Sequence, residues 1–140
     1  MNRSMLVLGS ALLMLASLPS QAAVQTYKTC TTGPLTPSGF SQTPAGPFKI
    51  LVQFDDTGYF VNFVGQYGAR NPRVINQTLS ALRTNAVDTN GREIFSLSGS
   101  GQTPTGTLNF VLTLTDSAGP AFIRIQDMSK STWQGRAICR

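Results

Sequence analysis

The side chains that could do chemistry in this chain are few, and histidine is missing. The 140 residues include two cysteines, six aspartates and glutamates and no histidine. Without an imidazole there is no Ser-His-Asp or Cys-His arrangement, and the usual zinc, copper and haem ligand sets lose a common member. We therefore expect no enzyme activity and no metal or other cofactor.

The carboxylates follow patterns that are typical of turns. Asp55 and Asp56 are adjacent, so in an extended segment their side chains point to opposite faces and do not form an acid/base pair. The segment Asp88-Thr-Asn-Gly91 is similar to the start of a calcium loop, but Gly99 stands where the bidentate glutamate is needed. A hydrolase that uses carboxylates alone stays open only as a second alternative, because tertiary structure would have to bring two of them together.

The two cysteines predict a disulfide bond. Cys30 and Cys139 lie near the two ends of the chain, and with two cysteines only one intramolecular pairing exists. No Cys-x-x-Cys motif is present, and no histidine could activate a thiolate. Because the exported compartment that we expect for this chain is oxidising, we expect a Cys30–Cys139 bridge.

Aromatic residues and arginines are the better candidates for binding. Three aromatic residues share one face of a predicted strand and its extension, two arginines flank Asn71-Pro72 in a connection, and one phenylalanine lies in a long loop. The candidate binding residues are Tyr59, Phe63, Tyr67, Arg70, Arg73 and Phe40. Core packing of the aromatics and ordinary solvation of the arginines are the alternatives.

The N-terminal segment has the layout of a secretory signal. Arg3 precedes an apolar run from Met5 to Leu18, which is too short for a transmembrane helix of roughly 20 residues. Small residues then offer cleavage after Ala22 or Ala23. We expect residues 1–23 to be removed, leaving one domain at 24–140 without a membrane anchor. This mature chain has ten basic residues against six acidic ones, a formal charge of +4.

Alternation and turn signals predict short strands along the mature chain. Residues 48–54 and 59–64 form a hairpin around an Asp-Asp-Thr-Gly turn. Residues 107–115 alternate with period two, and 121–126 return as their partner, with Ile123 and Ile125 on one side and Phe122 and Arg124 on the other. A first strand over 25–30 and a last strand over 133–139 would be tied by the disulfide.

Two segments are less regular. Residues 31–47 are rich in proline and glycine, which predicts a long loop that is either a lid or disordered. Residues 72–82 fit an amphipathic helix with Asn71 as its N-cap and Pro72 in its first turn. The same stretch can instead contain a strand over roughly 78–87 that leads into a hairpin at Asn90-Gly91, and a short helix followed by that hairpin would satisfy both patterns.

Together these patterns predict an all-β domain, with or without one short helix at 72–82. An antiparallel meander would form a small closed barrel or a sandwich whose ends are joined by the disulfide. We expect a periplasmic or secreted, monomeric, non-enzymatic binding protein. Its partner would be an anionic or apolar ligand or a protein, with no specific nucleic acid. An inhibitor that blocks a secreted hydrolase with the 31–47 loop is the first alternative.

Overall fold

Every regular element in the described part of the chain is a β-strand. The structure is a computed structural model that describes residues 23–39, 43–67, 73–103, 106–128 and 130–140. The strands are β1 (Gln25–Thr32), β2 (Thr36–Ser38), β3 (Ala45–Asp55), β4 (Gly58–Tyr67), β5 (Arg73–Val87), β6 (Glu93–Thr103), β7 (Gly106–Leu114), β8 (Gly119–Asp127) and β9 (Thr132–Cys139). The all-β prediction is confirmed.

Eight strands close into an antiparallel barrel. The order is β1-β3-β4-β5-β6-β7-β8-β9, and β9 pairs back to β1. The short β2 lies outside this ring and continues the line of β1 along the edge of β9. Of the two architectures left open by the sequence, the barrel is the one that forms. Closure removes the exposed edges that an open sheet would present.

The disulfide lies at the seam where the first and last strands meet. Cys30 and Cys139 are directly opposite each other in the β1–β9 register, and their Cα atoms are 4.0 Å apart. Beside them, Thr29 and Arg140 exchange backbone hydrogen bonds of 3.0 and 2.9 Å. The predicted bridge is confirmed, and a disulfide is compatible with an oxidising, exported environment.

Alternating apolar side chains fill the barrel interior. On β7 the predicted period of two is confirmed, because Leu108, Phe110, Leu112 and Leu114 are all buried. A barrel of eight strands has an interior just wide enough for such side chains to fill. The core also includes Ile50, Val52, Val61, Phe63, Leu79, Phe95, Leu97, Ile123, Ile125 and Trp133.

The helix considered for residues 72–82 is wrong. Residues 73–87 form β5, which pairs with β4 on one side and β6 on the other. Two of the apolar residues that suggested a helix, Val74 and Leu82, are exposed on the outside, whereas Ile75 and Leu79 are buried. The pattern of period two on the inner face prevails because β4 pairs with residues 73–81 and β6 with residues 82–87, so that the two ladders together span the strand.

The segment at 31–47 contains more regular structure than a plain loop. Its first residues extend β1 to Thr32, β2 pairs with β9, and β3 begins at Ala45. Between these strands Leu35 is 1% exposed and forms an isolated bridge with Ala45. Residues 40–42 lie outside the described residues.

The expected signal sequence falls on residues 1–22, which also lie outside the described residues, and on Ala23. In the described ranges we find no helix with the length and apolarity that crossing a membrane requires.

Candidate functional site

Two of the six candidate binding residues have described side chains, and they lie in different surroundings. Phe63 is 3% exposed, and its ring centroid lies 5.0 Å from that of Phe110 in an edge-to-face contact. It therefore belongs to the core. Tyr59 is half-buried at one end of the barrel.

For the other four candidates, the structure gives at most the position of the backbone. Tyr67 and Arg73 are register partners at the ends of β4 and β5. Arg70 falls in the connection between these strands, and Phe40 falls between β2 and β3. Both residues lie outside the described part of the chain.

A group of polar and aromatic side chains covers the end of the barrel at which β1 begins. We call it the rim cluster, and it consists of Tyr27, Lys28, Tyr59, Arg83, Phe95 and Asp116. A β-bulge produces it, because the β1–β3 register shifts between Thr26 and Lys28. The extra residue, Tyr27, has no partner on β3, and Lys28 is only 5% exposed.

Hydrogen bonds tie the bulge to the turn between β7 and β8. The Tyr27 hydroxyl donates to a carboxylate oxygen of Asp116. The Lys28 ammonium donates to the backbone carbonyls of Asp116 at 2.7 Å and of Ser117 at 2.9 Å. These two bonds satisfy a buried charge, which would otherwise be costly to desolvate.

Arg83 on β5 completes the rim cluster mainly by packing. Its guanidinium carbon lies 4.1 Å from the Phe95 ring centroid, and Nη1 donates to the Tyr59 hydroxyl at 2.7 Å. Its Nη2 lies 3.9 Å from Asp116, but the two side chains are 29% and 63% exposed, so water screens this ion pair. The stacking on Phe95 is the stronger reason for its position.

The chemistry of the rim cluster favours a structural role. Burial, followed by the hydrogen bond to Asp116, raises the pKa of Tyr27 to about 12. A tyrosine that acts as a base or nucleophile near neutral pH needs its pKa moved in the opposite direction. A hollow of about 280 Å³ lies beside the cluster and is lined by Arg83, Glu93 and Asp116 among others. Tyr27 instead ties β1 to the turn between β7 and β8 through its hydrogen bond to Asp116.

Two other carboxylates cap turns, as their sequence setting predicts. Asp55 accepts hydrogen bonds from the Thr57 hydroxyl at 2.5 Å and the Thr57 N–H at 2.7 Å, and these bonds lower the pKa of Asp55. Asp88 accepts from the N–H groups of Asn90 at 2.8 Å and Arg92 at 2.9 Å. Among the described residues, no three Asp, Glu, Cys or His side chains come together as metal ligands do.

The outside of β7, β8 and β9 carries a surface that combines arginines with exposed apolar groups. Because β8 alternates, Ile123 and Ile125 point inward while Phe122 and Arg124 point outward. Phe122 is 43% exposed, and its register partner on β9 is Arg136. We call this surface the cationic face and define it by Val111, Phe122, Arg124, Arg136 and Ile138.

No outward position on the strands of the cationic face carries a carboxylate. The outward positions of β7, β8 and β9, all of them described, are Thr107, Asn109, Val111, Thr113, Pro120, Phe122, Arg124, Gln126, Thr132, Gln134, Arg136 and Ile138. By contrast, the outward positions of β4 and β5 that the structure describes carry no charge of either sign. One side of the barrel exterior is therefore cationic and amphiphilic, and the opposite side is neutral.

A cleft of about 420 Å³ adjoins the cationic face. The turn before β6 contributes Arg92 and Asp88, the outer side of β8 contributes Phe122 and Pro120, and β9 contributes Arg136. This volume lies within the range of small-ligand sites. A second, shallower hollow of about 190 Å³ includes Arg124.

Comparison with known proteins gives no match to a family model, to a curated protein or to a solved structure. The functional inference therefore depends on the residues themselves.

The sequence patterns alone predicted neither the rim cluster nor the cationic face, although the alternation in β8 pointed toward the second. The alternation in β8 already places Phe122 and Arg124 on one outward face. Arg136 joins them only through the β8–β9 register, which cannot be read before the pairing is known. The rim cluster depends on the bulge at Tyr27, and no residue type near that position predicts a bulge.

Proposed function

We propose that the chain is an exported, non-enzymatic binding protein that takes an anionic polymer on its cationic face. The observation that carries this proposal is the position of Phe122, which is exposed and has arginines on two sides. Arg136 lies opposite it on β9, and Arg124 follows two residues along β8. Arginine and large aromatic side chains are the residue types that most often dominate binding surfaces.

The spacing of the arginines favours a ligand with repeated charges. Arg124 pairs with Gln134, so Arg136 is its diagonal neighbour. Diagonal neighbours across an antiparallel pair are separated by about 7 Å. A polymer with anionic groups at intervals of this order can contact both guanidinium groups at once, with Phe122 packing against the chain between them.

Charge and compartment support the same proposal. The positive charge of the mature chain attracts polyanions over distance and speeds their encounter. The apolar N-terminal run and the disulfide both favour export, which would bring the domain to acidic glycans and charged lipid head groups outside the cytoplasm.

The test is binding of the mature chain to dextran sulfate, measured by isothermal titration calorimetry over a series of salt concentrations. We expect affinity to fall steeply as salt increases, since ion contacts release counterions. Exchanging both arginines of the face in Arg124→Gln/Arg136→Gln should weaken binding by about tenfold at low salt, or about 0.7 kcal/mol for each exposed ion contact.

A matched pair of charge insertions provides the control. Gln134 and Gln66 are both exposed, but Gln134 faces outward on β9 and Gln66 faces outward on β4. Gln134→Glu should weaken binding several-fold, whereas Gln66→Glu makes the same chemical change away from the face and should have little effect. Equal effects of the two variants, or binding that does not depend on salt, would contradict the proposal.

A further inference from the structure

The cleft beside the cationic face suggests which anionic group the ligand carries. It is bounded by Arg92 on the side of β6 and by Arg136 on β9. Three strand spacings separate β6 from β9, which places the two backbones about 14 Å apart. Arg92 lines the β6 margin of the cleft and Arg136 lines its β9 margin, so a group bound there can contact both side chains.

This geometry distinguishes among anions. A carboxylate has two oxygens whose lone pairs lie in one plane, so it accepts best from donors within that plane. A sulfate or phosphate ester presents three terminal oxygens in different directions, so two arginines on opposite walls can each find an acceptor.

The acidic residue in the cleft is already engaged. Asp88 lines the same space, but its Oδ1 accepts the N–H groups of Asn90 and Arg92. These bonds orient Oδ1 toward the turn backbone, and the two arginines of the cleft outnumber this one carboxylate. Phe122 and Pro120 form an apolar wall on which the carrier of the anionic group can rest.

We infer that the cleft between Arg92 and Arg136 binds a tetrahedral oxyanion ester, a sulfate or phosphate group, on the ligand. This inference rests on the proposed function and adds a chemical preference to it. It also assigns a role to Arg92, which lies outside the cationic face itself.

The test compares two polymers with the same backbone, dextran sulfate and carboxymethyl dextran, at equal charge density and ionic strength. We expect the mature wild-type chain to bind the sulfate polymer at least fivefold more tightly, roughly the net value of one hydrogen bond. Arg92→Gln should abolish this preference. Arg124→Gln should weaken binding to both polymers and leave the preference in place, because Arg124 does not line the cleft.

The Arg92→Gln substitution should leave the fold intact, so a change in binding can be assigned to the lost side chain. Arg92 serves the turn through its backbone N–H, which glutamine retains, so Arg92→Gln should melt at the wild-type temperature. Equal affinity of wild type for the two polymers, or a preference that survives Arg92→Gln, would overturn the inference about the cleft while leaving the cationic face intact. Absence of binding to either polymer would overturn the proposed function as well.

Discussion

Removal of the Cys30–Cys139 disulfide should destabilise the barrel strongly, because the bond closes almost the whole domain into one loop. The two cysteines are separated by 109 positions in sequence. For a loop of that length the chain-entropy relation gives about 4.8 kcal/mol at 25 °C. In a domain of this size such a loss lowers the melting temperature by about 20 °C.

The structure also indicates which part of the barrel should open first when the disulfide is removed. Only Cys30, Thr31 and Thr32 of β1 face residues of β9, so the β1–β9 seam is short. The backbone bonds between Thr29 and Arg140 extend it by one pair. Without the covalent link, we expect amide hydrogens along this seam to exchange faster than those of β6 and β7.

The assay is urea unfolding of the mature wild type and of Cys30→Ala/Cys139→Ala, with and without a reducing agent. Reductant should lower the wild-type free energy of unfolding toward that of the variant and leave the variant unchanged. The variant should also show a larger denaturant slope, because its unfolded chain is less compact. A loss below about 1 kcal/mol would refute the loop-entropy reasoning.

Three further predictions concern the core, a close approach of two strands and the rim cluster. Phe63→Ala should cost about 3–5 kcal/mol in unfolding free energy, since it empties part of the core, whereas Phe122→Ala should change it by less than about 0.5 kcal/mol. Gly99→Ala should destabilise by about 1–3 kcal/mol, because its Cβ would lie 2.2 Å from a carbonyl oxygen of β5. Gly33→Ala, which meets nothing within 4 Å, is the control for that substitution, and an equal loss in both would contradict the packing argument. Because the folded pKa of Tyr27 is raised to about 12, its stabilising contribution is complete below pH 10 and is lost as pH rises toward 12. In the Tyr27→Phe variant, the melting temperature should fall less than that of the wild type as pH rises from 10 to 12. An equal fall in both proteins would contradict the stabilising role of the Tyr27 hydroxyl.

The features that local patterns control could be predicted from the sequence. β7 and β8 alternate cleanly, and the hairpins at Asp55–Gly58 and Asn90-Gly91 carry residues suited to tight turns. The two cysteines left one possible pairing, and the paired ends favoured a closed sheet. These expectations are confirmed because each depends on neighbours along the chain or on a single covalent constraint.

The features that depend on strand register could not be predicted. Val74 and Leu82 suggested a helix because apolar residues that end on the outside of β5 look like core residues in sequence. The bulge at Tyr27 brings Lys28 to the rim, and the β8–β9 register brings Arg136 to Phe122. Both arrangements follow from how distant strands align, which a single sequence does not specify.

The most direct test of the account is to locate a bound polyanion on the barrel. A short dextran sulfate oligosaccharide can be titrated into the isotopically labelled mature protein while the backbone amide resonances are recorded by nuclear magnetic resonance. We predict the largest shifts at the amides of Phe122, Arg124 and Arg136 and small shifts on β4 and β5. Shifts concentrated on β4 and β5 or at the rim cluster would contradict the assignment of the cationic face.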